Sequence, residues 1–488
     1  MQLPPDGLNE TALFEALGAL RQLDLDWRGG RTYAYVYDAG REVEEAGRRA
    51  YGEFLFQNAL DPTAFPSVLK LENDVVGIGV EHVGGGPEAG GAFTSGGTES
   101  IMLAVKAARD HARATKPHIT APEMILPTTA HAAFHKAAAY LGLKVVLADV
   151  DPETFAADPV QVAAQISEDT ILLVGSAPSY AHGVVDPIKA LGELAQEHDL
   201  WLHVDACVGG WLLPYYRRLG VEVEPFDFSV PGVTTISLDL HKYAFAPKGA
   251  SLLLYRDVSL RRFQYFTCTE WTGYSVVNST VQSSRSGGPL AAAWAVLHRV
   301  GDQGYLDLAR QTLEGTRKLV AGIESIPGLS VLGRPDFCLV AASSEELSVF
   351  HLIDAMARRG FYVQPQPSFR GSPRSVHFSL SPKNSHQVDA LVEALREAAD
   401  EVRGIEPSQL AASVGGMLAG LSPADLQQQF PQLLAMAGIQ GDALPKDMAP
   451  VHELLDALPR ELCKELLTAF VGSMFSPTRE AACAGSSA

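Results

Sequence analysis

Three short segments of the chain hold residue types that could do chemistry together. The first is TSGGTES (Thr94–Ser100), a small-residue loop that runs directly into the helical pattern IMLAVKAARDHARA. A glycine-rich loop opening a helix offers free backbone N–H groups and the positive end of a dipole, which suits a phosphate. It is neither a P-loop nor a G-x-G-x-x-G fingerprint, because the lysine and the spacing are missing. The second, HVDACVGGW, puts Asp205 at the end of a very apolar strand pattern, where a carboxylate is costly unless it meets a positive partner. The third, SLDLHKYAFAPKG, puts Lys242 just past another strand pattern, preceded by His241 and followed by aromatic residues. Such a lysine is either an ordinary surface residue or a desolvated Schiff-base amine.

In this order on one α/β sheet, the three are the parts needed to hold pyridoxal phosphate. The lysine binds the cofactor covalently, the loop holds its phosphate, and the carboxylate pairs with the pyridine nitrogen so that the ring acts as an electron sink. A fourth part is His131, in TTAHAAFHKAA, whose imidazole could stack on the cofactor ring.

The elements that must position these residues are legible as strands alternating with helices. Apolar runs occur at EMILP (123–127), KVVLAD (144–149), TILLVGS (170–176), LWLHVD (200–205), TTISLD (234–239) and ASLLLY (250–255), with helical periodicity between most of them. Such runs predict a mainly parallel sheet covered on both faces. Ahead of them lie a weak amphipathic helix (Glu10 to Leu25), the aromatic segment TYAYVYDAG (Thr32–Gly40), the turn-rich NALDPTAFPSV and a helix at LENDVVGIGVEHV. After Pro289 a long, interrupted helix leads to a smaller α+β segment containing GLSVLG, FCLVAAS, FYVQPQ and SVHFSLSP. The chain is accordingly read as an N-terminal arm (1–70), a large cofactor-binding domain (71–300), a small C-terminal domain (301–403) and a helical tail of unassigned role (404–488) that ends in the compositionally disordered AACAGSSA.

Composition narrows the partners. The chain has 488 residues, with 38 Lys plus Arg against 57 Asp plus Glu, a formal charge of −19. An acidic chain without a basic run repels phosphate backbones and anionic headgroups, which argues against nucleic acid and polybasic membrane binding. The five cysteines are scattered, with no C-x-x-C spacing, so neither a metal site nor a disulfide framework is expected. MQLPPDGLNE lacks the features of a signal peptide, and the uncharged stretch Pro407 to Ala424 is too dilute in apolar residues to span a bilayer. A cytoplasmic, soluble protein is expected.

Taken together, TSGGTES, TAHAAFHKA, GSAPSYAHGVVD, HVDACVGGW, SLDLHKYAFAPKG and SSRSGGPLAAAWAVL resemble the sphingosine-1-phosphate lyases, within the group II pyridoxal-phosphate decarboxylase superfamily. The resemblance spans about residues 30 to 400. It implies a fold-type I, aspartate aminotransferase-like large domain with a mainly parallel seven-stranded sheet, a small α+β domain, and a homodimer with shared active sites. It also implies Lys242 as the Schiff-base lysine, Asp205 on the pyridine nitrogen, His131 on the ring, and Gly96, Gly97, Thr98 and His241 around the phosphate. Ser286 and Gly287 match the segment that reaches the cofactor phosphate from the other subunit. Tyr180 and Tyr37 match active-site tyrosines, and Lys248 matches a lysine expected to face substrate phosphate.

The sequence departs from that pattern in NALDPTAFP. Asn58 is kept, but Ala59 replaces a proline and Asp61 takes the position of a histidine expected to help hold substrate phosphate. A carboxylate beside a phosphate is repulsive, at about 4 kcal/mol for unit charges 4 Å apart at an effective dielectric of 20. Unless Asp61 turns away, it counts against a phosphorylated substrate. Tyr33, where a serine is usual, is expected to narrow the pocket mouth. The expected activity is a carbon–carbon lyase cleaving Cα–Cβ of a phosphorylated 2-amino-3-hydroxy substrate. The alternative is an amino-acid decarboxylase of the same superfamily, which needs no phosphate site, and a catalytically inert relative is disfavoured by intact Lys242, Asp205 and His131.

Overall fold

A computed structural model describes residues 3–405 and 445–475. Its centre is a seven-stranded sheet in the order β1-β7-β6-β5-β4-β2-β3. The strands are β1 (Gly90–Thr94), β2 (Glu123–Pro127), β3 (Lys144–Ala148), β4 (Thr170–Ser176), β5 (Trp201–Asp205), β6 (Thr235–Leu238) and β7 (Ser251–Tyr255). All neighbours from β6 to β3 pair in parallel, while β7 runs antiparallel to both β6 and β1. Strands β2, β4, β5, β6 and β7 are buried along their whole length. This explains their continuous apolar runs, since a sheet covered by helices on both faces has no solvent side to alternate with.

Strand β1 was not read from the sequence. Its residues, GGAFT, hold two glycines and lack the β-branched enrichment that marks a strand; its pairing with β7 is a tertiary fact. Two short exposed strands, β8 (Phe266–Cys268) and β9 (Val276–Asn278), form a hairpin after the sheet and were likewise not anticipated.

The long helix at Gly287–Glu324 is broken at Gly301, where φ is 63°, a backbone conformation open to glycine. Beyond it β10 (Ser330–Val331), β11 (Leu339–Ser343), β12 (Gln364–Gln366) and β13 (Ser375–Ser379) form a second, antiparallel sheet in the order β10-β11-β13-β12. Tyr33 does not stand at a pocket mouth as expected. It is fully buried between Phe361 and Phe378, with its hydroxyl donating to the Asn384 carbonyl at 2.9 Å. The aromatic segment is thus an edge of this smaller unit, tied on by backbone bonds between Tyr33 and both Tyr362 and Ser379.

Of the tail, two helices are described, Ala449–Ala457 and Arg460–Met474. The stretch 407–424, LQQQFPQLLAMAG, the last eight residues and Cys483 lie outside the described residues, and the four cysteines within them are unpaired. Among the described residues no helix is long and apolar enough to cross a membrane. The first tail helix is docked through carboxylates. Asp354, buried on helix Val349–Arg358, accepts the N–H groups of Met448 and Ala449 at 3.0 and 2.7 Å, satisfying two of the unpaired donors at the helix start.

An Asp354→Asn variant should loosen this docking, because an amide keeps an acceptor for one N–H and turns a donor toward the other. The loss should be about 1–3 kcal/mol, seen as faster hydrogen exchange at the amides of 448–457. Unchanged protection there would show that Asp354 does not hold the tail.

Candidate active site

The carboxyl ends of the central parallel strands open into a cavity of about 390 Å³ whose lining includes Gly96, Gly97, Thr98, His131, Tyr180, Asp205, His241 and Lys242. These eight residues come from five separate segments of the sequence, and the parallel topology gathers them because all the strand-to-helix turns leave the sheet on one side. A helix starts at Gly97 and runs to Thr115, so the TSGGTES loop does present a helix N-terminus to the cavity.

Lys242 Nζ lies 3.0 Å from Oδ2 of Asp239. Burial drives the lysine toward its neutral form, but the attraction of Asp239 and the other acidic groups around it outweighs that, and the net shift is upward. Burial likewise opposes ionisation of Asp239, and Lys242 with His241 reverses the balance, so this carboxyl sits below its ordinary range. The pair is therefore ammonium and carboxylate. The second oxygen of Asp239, Oδ1, is buried without a hydrogen-bond partner among the described residues. Asp239 was missed in the sequence; its place three residues before Lys242, on the turn leaving β6, was the available signal.

His241 accepts the Ala250 N–H on Nδ1 at 3.2 Å, which leaves its Nε2–H directed to Asp239, 3.6 Å away. Burial lowers its pKa. His131 caps the helix Ala132–Leu141, its Nδ1 accepting the Ala133 N–H at 3.1 Å, so that its ring is held and its proton sits on Nε2.

Asp205 accepts from the Cys207 N–H at 3.1 Å and from the Ser237 hydroxyl at 3.3 Å. Behind it runs a buried chain across β5 and β6. His203 bonds Ser237 through Nε2 at 3.1 Å and Thr235 through Nδ1 at 2.9 Å, and the Trp201 indole donates to Thr235 at 2.8 Å. Burial pushes the His203 pKa down to about 4, so this histidine is a neutral strut. Asp186, fully buried, accepts the N–H groups of Ala157 and Ser176 at 2.8 and 2.7 Å, and burial raises its pKa to about 6. Tyr180 donates its hydroxyl to Oε1 of Gln364 at 2.6 Å, and burial raises its pKa.

A second cavity, of about 310 Å³, shares His241 with the first and is lined mainly by apolar and aromatic side chains, including Trp27, Tyr37, Val43 and Phe245. Tyr37 and Lys248 belong to it. The Lys248 ammonium lies 4.6 Å from the centre of the Tyr37 ring, and burial first, then the charge of Lys242, lowers its pKa to about 8.

Asn58, Asp61, Ser286 and Gly287 line neither cavity. They form a unit of their own, in which Asn58 bridges to Ser286, Ala59 N–H donates to the Arg285 carbonyl at 2.8 Å and Gly287 N–H to the Gln57 carbonyl at 2.7 Å. Asp61 is turned onto its own loop, its Oδ1 accepting the N–H and hydroxyl of Thr63 at 2.8 and 2.6 Å, and these bonds hold its carboxyl below its usual range. The carboxylate keeps its charge and is turned toward Thr63.

The residues present fit pyridoxal phosphate. The cavity combines an amine, a strand-end carboxylate held by two donors, a held imidazole and a helix N-terminus. The loop also approaches too closely for a side chain, since a Cβ on Gly97 would stand 2.7 Å from Asp239 Oδ2 and 2.8 Å from Cys207 Sγ.

A mostly parallel seven-stranded sheet with this constellation at its carboxyl edge defines a pyridoxal-phosphate enzyme of fold type I. Residues 57–342 match the family described as "Pyridoxal-dependent decarboxylase conserved domain", and residues 409–473 match "Pyridoxal-dependent enzyme, C-terminal putative HTH domain". The sphingosine-1-phosphate lyase of Oryza sativa subsp. japonica is 40% identical over 410 residues, 82% of this chain and 75% of that protein. The structure of a Burkholderia pseudomallei sphingosine-1-phosphate lyase superposes with a TM-score of 0.79 at 36% identity, over 87% of this chain and 98% of that one. A Lactobacillus brevis glutamate decarboxylase shares the fold, with a TM-score of 0.73 at 18% identity over 83% of this chain and 96% of that one. The chain belongs to the pyridoxal-dependent decarboxylase family and, within it, to the sphingosine-1-phosphate lyases. It is a lyase that works with pyridoxal phosphate.

Because Gly97 packs on Asp239 and Cys207, a Gly97→Ala variant should displace the loop and weaken cofactor affinity by about tenfold or more, equivalent to about 1.4 kcal/mol, as read by fluorescence titration of the folded apoprotein. Wild-type affinity would show that the loop's close approach is not part of the cofactor site.

Proposed function

We propose that the chain cleaves the Cα–Cβ bond of a sphingoid base phosphate, giving phosphoethanolamine and a fatty aldehyde, as a homodimer. The observation that carries this is the 40% identity to a sphingosine-1-phosphate lyase over 410 residues, three quarters of that protein, against 33% over 356 residues for a probable L-tyrosine/L-aspartate decarboxylase. Asp61 is turned onto Thr63 and lines neither cavity of its own chain. The apolar second cavity beside Lys248 suits an aliphatic chain next to an anionic group.

Pyridoxal phosphate supplies, when bound, an electron sink conjugated to the substrate amine. Lys242 would hold it covalently, Asp205 would face its pyridine nitrogen, His131 its ring, and Gly96, Gly97, Thr98 and His241 its phosphate. Cleavage removes the proton of the 3-hydroxyl, breaks Cα–Cβ, makes the aldehyde carbonyl and leaves an electron pair at Cα that a proton must later quench. Tyr180 has its own proton engaged with Gln364, so its oxygen can orient the 3-hydroxyl by accepting a hydrogen bond. Lys242, released as a neutral amine when the substrate amine takes its place, can accept the hydroxyl proton, hold it as the ammonium beside Asp239 and return it to Cα. Lys248 holds the substrate's phosphate.

The dimer is proposed from the placement of Asn58, Ser286 and Gly287. They form a hydrogen-bonded unit away from their own cavity, and exposed apolar side chains stand close to it in the chain: Phe56, Leu60 and Val281. A cluster of this kind marks a protein–protein surface.

Mass spectrometry of the products decides the reaction. Purified, cofactor-loaded protein given phosphorylated sphingoid bases and amino acids should release phosphoethanolamine with a fatty aldehyde, and Lys242→Ala should release neither. Carbon dioxide from an amino acid, with the phosphorylated bases untouched, would overturn the lyase assignment.

A pH profile tests Lys248. With a pKa near 8, its ammonium is present below that pH and lost above it, so kcat/KM for the phosphorylated substrate should fall as pH rises through 8, this parameter reporting groups of the free enzyme. Lys248→Arg stays charged, and its kcat/KM relative to wild type should climb about tenfold between pH 8 and 9.5. Parallel profiles would remove Lys248 from phosphate binding.

A further inference from the structure

The segment that carries the active-site tyrosine is gripped by the outer strands of the smaller sheet. Gln364 on β12 accepts the Tyr180 hydroxyl at 2.6 Å. Gln366, two residues on and so on the same face of the strand, donates to the Ala181 carbonyl at 3.2 Å. His377 on β13, directly opposite Gln364 in register, donates through Nε2 to the Tyr180 carbonyl at 2.9 Å, with its ring 4.6 Å from the tyrosine ring. Burial lowers the His377 pKa to about 4, so this donor is a neutral imidazole. The direction of the Tyr180 side chain is therefore set by where β12 and β13 stand.

The ladder alone holds β12 weakly. It is a short edge strand, Gln364–Gln366, with Pro365 at its centre, and proline brings no N–H to the pairing. Its entrance is tied to the N-terminal arm, where the Tyr362 N–H donates to the Arg31 carbonyl at 2.9 Å. Its exit is tied to the tail. Asp456, on helix Ala449–Ala457 and with a side chain 5% exposed, accepts the N–H and the hydroxyl of Ser368 on one oxygen at 2.6 and 2.8 Å. Its other oxygen lies 3.6 Å from Nε of Arg374, across the turn that Phe369 and Ser372 close. Arg460 donates to the Ser368 carbonyl. One buried carboxylate thus gathers both legs of the loop that joins β12 to β13.

We infer that Asp456 is a positioning residue for the reaction: the docked tail fixes Ser368, Ser368 fixes β12, and β12 fixes the direction in which the Tyr180 oxygen meets the substrate hydroxyl. The tail then serves catalysis although none of its described residues lines the cavity. This rests on the lyase reading above, in which Tyr180 orients the 3-hydroxyl.

Two measurements on the full, cofactor-loaded chain test it. In hydrogen exchange, Asp456→Ala should speed exchange about tenfold in segments 364–368 and 179–184 and leave β11 as in wild type. Acceleration confined to the tail and Ser368, or spread equally over β11, would overturn the inference. In turnover of a phosphorylated sphingoid base, Asp456→Ala should lower kcat about tenfold with Tyr180 present and less than about twofold in a Tyr180→Phe background, since an effect that acts through one residue vanishes with it. A merely structural role would lower kcat by the same factor in both backgrounds. Ser368→Ala deletes the hydroxyl and keeps the N–H bond, so it tests the same link should Asp456→Ala not fold; its kcat should fall about threefold with Tyr180 present and stay level in the Tyr180→Phe background. Equal factors in the two backgrounds, with Tyr180→Phe itself impaired, would overturn the inference and leave the lyase reading intact. A Tyr180→Phe variant with wild-type kcat would overturn the role given to Tyr180 in that reading, and the exchange result would still decide whether the tail positions it.

Discussion

The contact on which the site depends is the buried pair between Lys242 and Asp239. An amine brought to the end of a fully buried strand would lose its proton unless a carboxylate came with it, and the turn leaving β6 supplies both within four residues. That solution constrains its surroundings. The carboxylate lies against the phosphate loop, so a side chain at position 97 would push on Asp239 and Cys207, and the loop packs onto the same turn that carries the lysine. Phosphate site and amine site are consequently one construction rather than two neighbours.

The second carboxylate is held differently, and the difference matters chemically. Asp239 is matched by Lys242, whereas Asp205 is held by the Cys207 N–H and the Ser237 hydroxyl, neither of which cancels its charge. Behind it the chain from Trp201 through Thr235, His203 and Ser237 spans two parallel strands in which Asp205 is paired in register with Ser237. A neutral histidine in that chain orients without adding charge. One acid is thus spent on the lysine, and the other is held by neutral donors alone.

What was legible in the sequence followed from local rules. Buried parallel strands write themselves as apolar runs, and Lys242, Asp205, His131 and the Gly96–Thr98 loop sit at their ends, where α/β sheets bind ligands. What was not legible depended on partners distant in the chain. β1 is a strand because β7 pairs with it. Ser368 and Asp456 are unremarkable singly and meaningful as a pair. Tyr33 reads as an aromatic at a pocket mouth until Phe361 and Phe378 are known to enclose it. Asp61 reads as a misplaced charge because sequence does not display the Thr63 bonds that engage it.

Residues 409–473 match a helix-turn-helix description and are acidic in composition. Residues 409–473 contain seven Asp or Glu and three Lys or Arg, the wrong sign for a surface that must displace counterions from a phosphate backbone. The described part spends its polar groups on this chain instead. Glu453 accepts from the Ser348 hydroxyl, Asp456 from the N–H and hydroxyl of Ser368, and Arg460 donates to the Ser368 carbonyl. Ser368 follows closely on β12, the strand that carries Gln364, the acceptor of the Tyr180 hydroxyl. The described tail helices therefore brace the edge of the smaller sheet whose Gln364 accepts the Tyr180 hydroxyl.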